Sequence, residues 1–369
     1  MRNVIPKVDV ADSPVSGGVA TSLKILLNSS SFDPNIGGIE GVSSLLSMEF
    51  VRLGHQVKVV TQTSEPSERS FPFEVIRRPS PQKLIRLLDW ADLYWQNHVS
   101  LLAAWPLLFI HRPWVVTQQT WLSSGAGFNA WTSQALKGRL KRFLLSRFAT
   151  TVAISKAIAE EVPRTLHIIG NPYDDATFRF MGDAERVNDL IYVGRLVSDK
   201  GVQQLLEALA LLKRRSYHFH LTVVGIGPEG ETLRRVARDL ELADQVEFVG
   251  SRTGSQLARL LNAHRVLVVP SIWHEPFGIV ALEGCACGCA VIGSDSGGLP
   301  EAIGPCGVTF PNGDVEALAD RIVGLCSDPS QLLRCRSASQ AHLVDYTAES
   351  VGAAYLRVFE SAIKSRGQR

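Results

Sequence analysis

The sequence is poor in several features that would each have announced a function. No stretch of the 369 residues approaches the run of about 18 apolar residues needed to span a bilayer. The opening MRNVIPKVDVADSPVSGG also lacks the unbroken apolar segment of a signal peptide. These absences predict a cytoplasmic protein whose first residues form a loose extension. Charge of one sign is lacking too. With 38 Lys and Arg against 36 Asp and Glu, the formal net charge is +2, and no basic patch interleaved with aromatics is visible, so nucleic acid is not an expected partner. Cysteine is sparse at six, and Cys285, Cys287 and Cys289 in CACGC have no partner pair at zinc-site spacing. Buried free thiols are the expectation. There is no low-complexity tract and no short fixed repeat.

What is present is alternation. At 45% hydrophobic and 20% charged the composition is that of a folded protein, and the length exceeds what one core usually supports. Apolar strands are predicted at 23–29, 57–62, 73–78, 91–97, 114–118 and 150–155, with helices between most of them. A second series runs 190–194, 220–225, 246–250, 265–270 and 289–293, each strand entering a loop. Continuous apolar strands separated by helices predict an α/β fold of two doubly wound parallel sheets. The polar, turn-rich NPYDDATFRFMGDAERVND at 171–189 separates the two series. The predicted organisation is an extension over 1–22, domains over 23–180 and 181–346, and a last helix over 347–369 that reaches back toward the first domain.

In open parallel sheets ligands bind beyond the carboxyl ends of the strands, so the strand-end loops carry the candidates. After the first strand, Gly37 and Gly38 precede a helix, which suits either an anion near backbone N–H groups or a plain tight turn. RLVSDKG sets Arg195 and Lys200 five apart, a pair suited to a diphosphate or, alternatively, a solvated loop. Gly225, Gly227 and Gly230 in VVGIGPEG miss the spacing of a dinucleotide fingerprint. HEPFGIVALEGCACG places Glu275 and Glu283 around an apolar run. With Pro276 opening a helix, the pair reads either as a cap plus a surface glutamate or as two contacts to one long ligand. SDSGGLPEAI follows as a Gly-Gly turn.

Taken in order, GGIEG, NPYDDATF, GRLVSDKG, VVGIGPEG, PSIWHEPFGIVALEGCACGCAV and GSDSGGLPEAI resemble the retaining nucleotide-sugar glycosyltransferases of family 4, the group 1 glycosyl transferases. The resemblance covers about residues 23 to 360. It implies the GT-B architecture, two Rossmann-like domains facing across a cleft, and transfer of a sugar from a nucleoside diphosphate sugar to a glycan, lipid-linked or small-molecule acceptor. By the same resemblance Arg195 and Lys200 would grip the diphosphate, with Gly37, Gly38, Gly225 and Gly227 lining the donor. Glu275 would meet the sugar and Glu283 the ribose. Phe277, Gly278 and Ile279 would offer N–H groups, and Val249 to Arg252 would flank the base. No D-x-D motif occurs, so neither a metal nor a separate cofactor is expected.

Two features depart from the pattern, and one of them, Ala290 where proline is common, should alter only local stiffness. Where members often carry a histidine the chain has Gln118 and Gln119 in WVVTQQTW, and a glutamine carries neither a proton nor a charge. His98, in YWQNHVS, is the other candidate at a strand end. A nucleotide-sugar epimerase and a non-catalytic sugar-nucleotide-binding module therefore remain as alternatives. On the acceptor side, Trp121, Phe128 and Trp131 in TWLSSGAGFNAW suit stacking on a sugar. LKGRLKRFLLSRF at 136–148 reads either as a basic amphipathic helix lying on the inner face of a membrane or as a surface helix whose apolar stripe faces its own sheet.

Overall fold

The computed structural model describes residues 22–35, 37–122, 133–162, 165–182 and 186–367. The chain divides into two compact units, one formed by 1–170 together with 351–369 and the other by 171–350. Nearly all of the expected extension lies outside the described residues, as do Phe128, Trp131 and the side chains of Leu136 and Lys137.

The first unit is built on seven parallel strands, β1 (Lys24–Asn28), β2 (Gln56–Thr61), β3 (Glu74–Arg77), β4 (Leu93–Asn97), β5 (Trp114–Gln118), β6 (Thr150–Ala153) and β7 (His167–Ile168). Their spatial order is β3-β2-β1-β4-β5-β6-β7, which puts the reversal of strand order between β1 and β4. Side chains alternate across this sheet. Leu26, Tyr94 and Val116 face a core completed by Leu84, Leu87 and Leu88 of the helix Pro81–Trp90 and by Leu145 of the helix Ser133–Phe148. On the other face Trp95 packs against Phe50 of the helix Gly38–Arg52 and against Tyr355 and Phe359 of the helix Ala348–Gly367. The indole N–H of Trp95 donates to the Thr117 hydroxyl at 2.9 Å, and Thr117 bonds the Tyr355 hydroxyl at 3.0 Å. Burying Tyr355 and Phe359, at 1% and 0% exposed, is what ties the last helix to this unit.

The second unit repeats the winding with six strands, β8 (Asn188–Val193), β9 (Leu221–Val224), β10 (Val246–Gly250), β11 (His264–Val269), β12 (Ala290–Ser294) and β13 (Gly307–Phe310). Their order is β10-β9-β8-β11-β12-β13, all parallel, with the reversal between β8 and β11. Leu205, Leu209 and Leu212 of the helix Val202–Arg214 and Leu318 and Ile322 of the helix Val315–Ser327 close one core over Tyr192, Val223 and Val268. All six cysteines are free and buried. Among the described residues no helix is long and apolar enough to cross a membrane.

Candidate functional site

The loops beyond β8 and β11 knit together in the second unit. After β8 the chain makes a 3-10 turn over Ser198–Lys200 and enters the helix Val202–Arg214 through Gly201, at φ 72°. A Cβ on Gly201 would stand 1.8 Å from the Pro270 carbonyl oxygen, so glycine is required there both by its left-handed backbone and by the passing strand end. The Asp199 carbonyl accepts the N–H groups of Ile272 and Trp273, each at 3.0 Å. This backbone clamp brings two side chains into contact. The Lys200 ammonium lies 2.5 Å from Oε1 of Glu275, and the Ser271 hydroxyl donates to the same oxygen at 2.6 Å. Ser271 is buried, and the Lys200 and Glu275 side chains are 19% and 13% exposed. Arg195 is exposed in the loop that leads to Lys200, its carbonyl accepting from the buried Tyr192 hydroxyl at 2.9 Å.

Glu275 is held from a second side. Its carbonyl accepts the Gly298 N–H at 2.7 Å, and a Cβ on Gly297, φ 65°, would fall 2.2 Å from that carbonyl. The Gly-Gly turn at 297–298 is thus a support for the Glu275 backbone. Ser296 bonds Nδ1 of His274 at 2.5 Å in the same turn. The helix expected to open at Pro276 begins instead at Ile279 and runs to Ala286. Gly278, at φ 113°, turns the chain first, while buried Phe277 packs against Tyr346 at 5.6 Å. Phe277, Gly278 and Ile279 still stand at the helix start, where backbone N–H groups lack intrahelical partners. Glu283 lies inside this helix and is partly buried. Burial first, and the Asp174 carboxylate second, push its carboxyl up to about 8.

The glycines of VVGIGPEG have a packing role. A Cβ on Gly225 would meet the Gly194 carbonyl oxygen at 1.8 Å, and one on Gly227 would meet that of Leu196 at 2.2 Å. Leu196 N–H donates to Ile226 at 3.0 Å, so these residues brace the Arg195 loop from beneath. Arg252 is exposed at the end of β10 and donates to the Ser251 carbonyl at 2.8 Å.

In the first unit the candidates gather where strand order reverses. Gly37 caps the helix Gly38–Arg52 in an extended conformation, with Glu40 in the first turn. Beneath that helix runs a buried polar chain. Gln119 Nε2 donates to Asn97 Oδ1 at 2.7 Å, Asn97 Nδ2 donates to the Ser43 hydroxyl at 2.8 Å, and Ser43 bonds the Ser29 hydroxyl at 2.8 Å. The amide of Gln119 is therefore committed in part to Asn97. His98 follows β4 at φ 92°, a conformation a non-glycine residue adopts only under strain. Its N–H is tied to Thr117 at 2.8 Å, while its Nδ1 is buried with no hydrogen-bond partner among the described residues. Burial, then the nearby Lys141 charge, lower its imidazole to about 4, which keeps it neutral. Trp121 is partly buried.

Sequence reasoning passed over Ser271, Tyr192, Asn97 and Ser43. Of these only Asn97 carried a signal, as a polar residue closing an apolar strand, while serines and a strand tyrosine are too common to stand out.

Against known proteins, residues 174–342 match the family profile "Glycosyl transferases group 1" and residues 36–176 match "Glycosyltransferase Family 4". The chain belongs to the family 4, group 1 glycosyltransferases. It is 31% identical over 256 residues to a glycogen synthase of Mycobacterium tuberculosis, a match covering 65% of this chain and 61% of that one. It is 33% identical over 203 residues to a GDP-mannose-dependent alpha-(1-6)-phosphatidylinositol monomannoside mannosyltransferase of Mycolicibacterium smegmatis, covering 52% of each. The chain thus spans between half and two thirds of the length of these two relatives. Among solved structures, a sucrose-phosphate synthase of Thermosynechococcus elongatus superposes with a TM-score of 0.76 at 22% identity over 93% of this chain and all of that one. The Anabaena protein HepE, solved with UDP-glucose, gives 0.75 at 21% over 92% of this chain and all of its own. These likenesses show the GT-B fold.

Proposed function

We propose that the protein transfers a hexose-type unit from a nucleoside diphosphate sugar to an acceptor with retention of anomeric configuration. The observation that carries the reading is the contact among Lys200, Glu275 and Ser271 at the strand ends of the second unit, with Arg195 in the same loop as Lys200. As the glycosidic bond breaks, the departing diphosphate gains negative charge. Lys200, Arg195 and the N–H groups around Phe277, Gly278 and Ile279 supply fixed positive potential for it without a metal, so chelation leaves activity intact. Glu275 then turns from Lys200 toward the sugar hydroxyls, and Glu283 meets the ribose. The names of the relatives, a glycogen synthase and a phosphatidylinositol mannosyltransferase, support a glycan or lipid-linked acceptor. Peripheral contact of 136–148 with an anionic membrane is part of the same proposal.

A panel of nucleoside diphosphates screened by thermal shift identifies the base. The matching sugar donor is then incubated with and without acceptors, and the product anomer is read by NMR. Transfer with retention is expected. Epimerised sugar from donor alone would identify an epimerase, and binding without turnover over a broad acceptor panel would identify a binding module.

A further inference from the structure

Cationic and apolar residues are concentrated in one stretch of the first unit's sequence. Between Asp92 and Glu160 the sequence holds no acid, but it holds seven Lys and Arg, so the rest of the chain carries a net −5. Within this span, residues 99–110, VSLLAAWPLLFI, carry no charge at all. They fold into a knuckle, a helical turn over Leu101–Ala104 followed by a 3-10 turn over Trp105–Leu108. Val99, Ala103, Ala104 and Pro106 are buried under it, yet Leu102, Leu108 and Phe109 are 91%, 75% and 72% exposed. The helix Ser133–Phe148 does the same. Only Leu145 among its described residues is buried, while Leu140, Phe143 and Phe148 face solvent, Phe143 at 61%. At 100° per residue Arg139, Leu140, Phe143 and Arg147 share one outward arc, so apolar and cationic side chains point the same way. Of the two readings of this helix, a stripe turned wholly to its own sheet accounts for Leu145 but not for Leu140 and Phe143, which project away beside Arg139 and Arg147.

The knuckle and the helix are neighbours. Val99, Ala104 and Leu145 belong to one core, and Lys141 lies near enough to His98, two residues before the knuckle begins, for its charge to bear on the imidazole.

We infer that the knuckle 101–109 and the helix Ser133–Phe148 form one membrane-docking face, the knuckle entering the acyl boundary and the helix holding anionic headgroups. The inference deepens the membrane contact proposed above for 136–148 by adding the knuckle, and its test reads vesicle binding, which does not depend on glycosyl transfer. Single side chains that protrude this far match a soft, deformable partner better than a protein surface, which would need a pocket for each. The charge matches anionic lipid. A second copy is disfavoured, because an isologous contact would set each basic helix against its twin.

Co-sedimentation of the full chain with phosphatidylcholine vesicles, with and without phosphatidylglycerol, tests the face. Binding that requires phosphatidylglycerol and weakens with salt is expected. The double variant Leu108→Ser, Phe109→Ser should lower partitioning about tenfold or more. The double variant Arg139→Gln, Arg147→Gln should lower it by about the same factor and only on the anionic vesicles. All four side chains are at the surface, so unchanged melting temperatures check the fold. Equal binding to both vesicle types, wild-type binding by the Leu108/Phe109 variant, or a dimer in light scattering that this variant dissolves would each overturn the inference.

Discussion

Glu275→Gln is the substitution with the most to teach. Its carboxylate holds the Lys200 ammonium at 2.5 Å and the Ser271 hydroxyl at 2.6 Å, so a diphosphate bound by Lys200 competes with Glu275 for that lysine. Glutamine keeps the length of the side chain and can still accept from Ser271, but it no longer cancels the Lys200 charge. Because both side chains keep some access to water, the attraction is worth about 1 kcal/mol, not the several of a sealed pair. Released from it, Lys200 should bind the free nucleoside diphosphate as well as wild type or up to about fivefold tighter. Turnover of the complete donor should move the other way, falling about ten- to a hundredfold, since a hydrogen bond from a sugar hydroxyl to a charged group is worth about 1.5 to 3 kcal/mol. Lys200→Ala is the counterpart and should lose the same range in nucleoside diphosphate affinity. Calorimetry with the nucleoside diphosphate alone, beside initial rates with the whole donor, separates the two effects. Equal weakening of nucleotide binding by both variants would refute the competition, and full turnover in a folded Glu275→Gln protein would return Glu275 to a role as a loop support.

Two further outcomes concern pH. The Glu283 carboxyl is raised from 4.5 to about 8, so between those values the native chain keeps a proton that the unfolded chain has lost, and its contribution to stability declines as pH rises through that window. Urea unfolding should show Glu283→Gln gaining on wild type from pH 5 to pH 8, and parallel curves would remove the assignment. His98 runs the opposite way. Lowered from 6.5 to about 4 by burial and Lys141, it stays neutral in the fold, so stability is present above 6.5 and is lost as pH falls toward 4. His98→Asn, which tolerates the positive φ, should flatten that acid loss in the same assay, and an unchanged slope would sink the account.

The paired sheets were legible because their strands are near-continuous apolar runs, and β5 and β10 fall on the predicted residues. β7 and β13 were not foreseen. The first is two residues long and the second, GVTF, is too short and too polar to rise above loop sequence. The glutamate motif and the Arg195 and Lys200 loop announced themselves by spacing, but their mutual contact did not. It depends on the Asp199 carbonyl holding two N–H groups across 73 or more residues of chain, and a backbone bond leaves no trace in residue type. The helix start moved from Pro276 to Ile279 for a similar reason. Proline is admissible at several places in such a loop, and the left-handed turn at Gly278 decides among them.

The last helix gives the first unit an unusual schedule of assembly. Trp95 and Phe50 wait for Tyr355 and Phe359 to complete their aromatic packing, and those partners are made only after the whole of 171–350 has been synthesised. On the ribosome the second unit therefore has all its residues before the first does, although its strands come later in the chain. For that interval the part of the β1 to β7 sheet that Tyr355 and Phe359 cover, around Trp95 and Phe50, stays exposed, and a translation product that stops at residue 350 would keep it so.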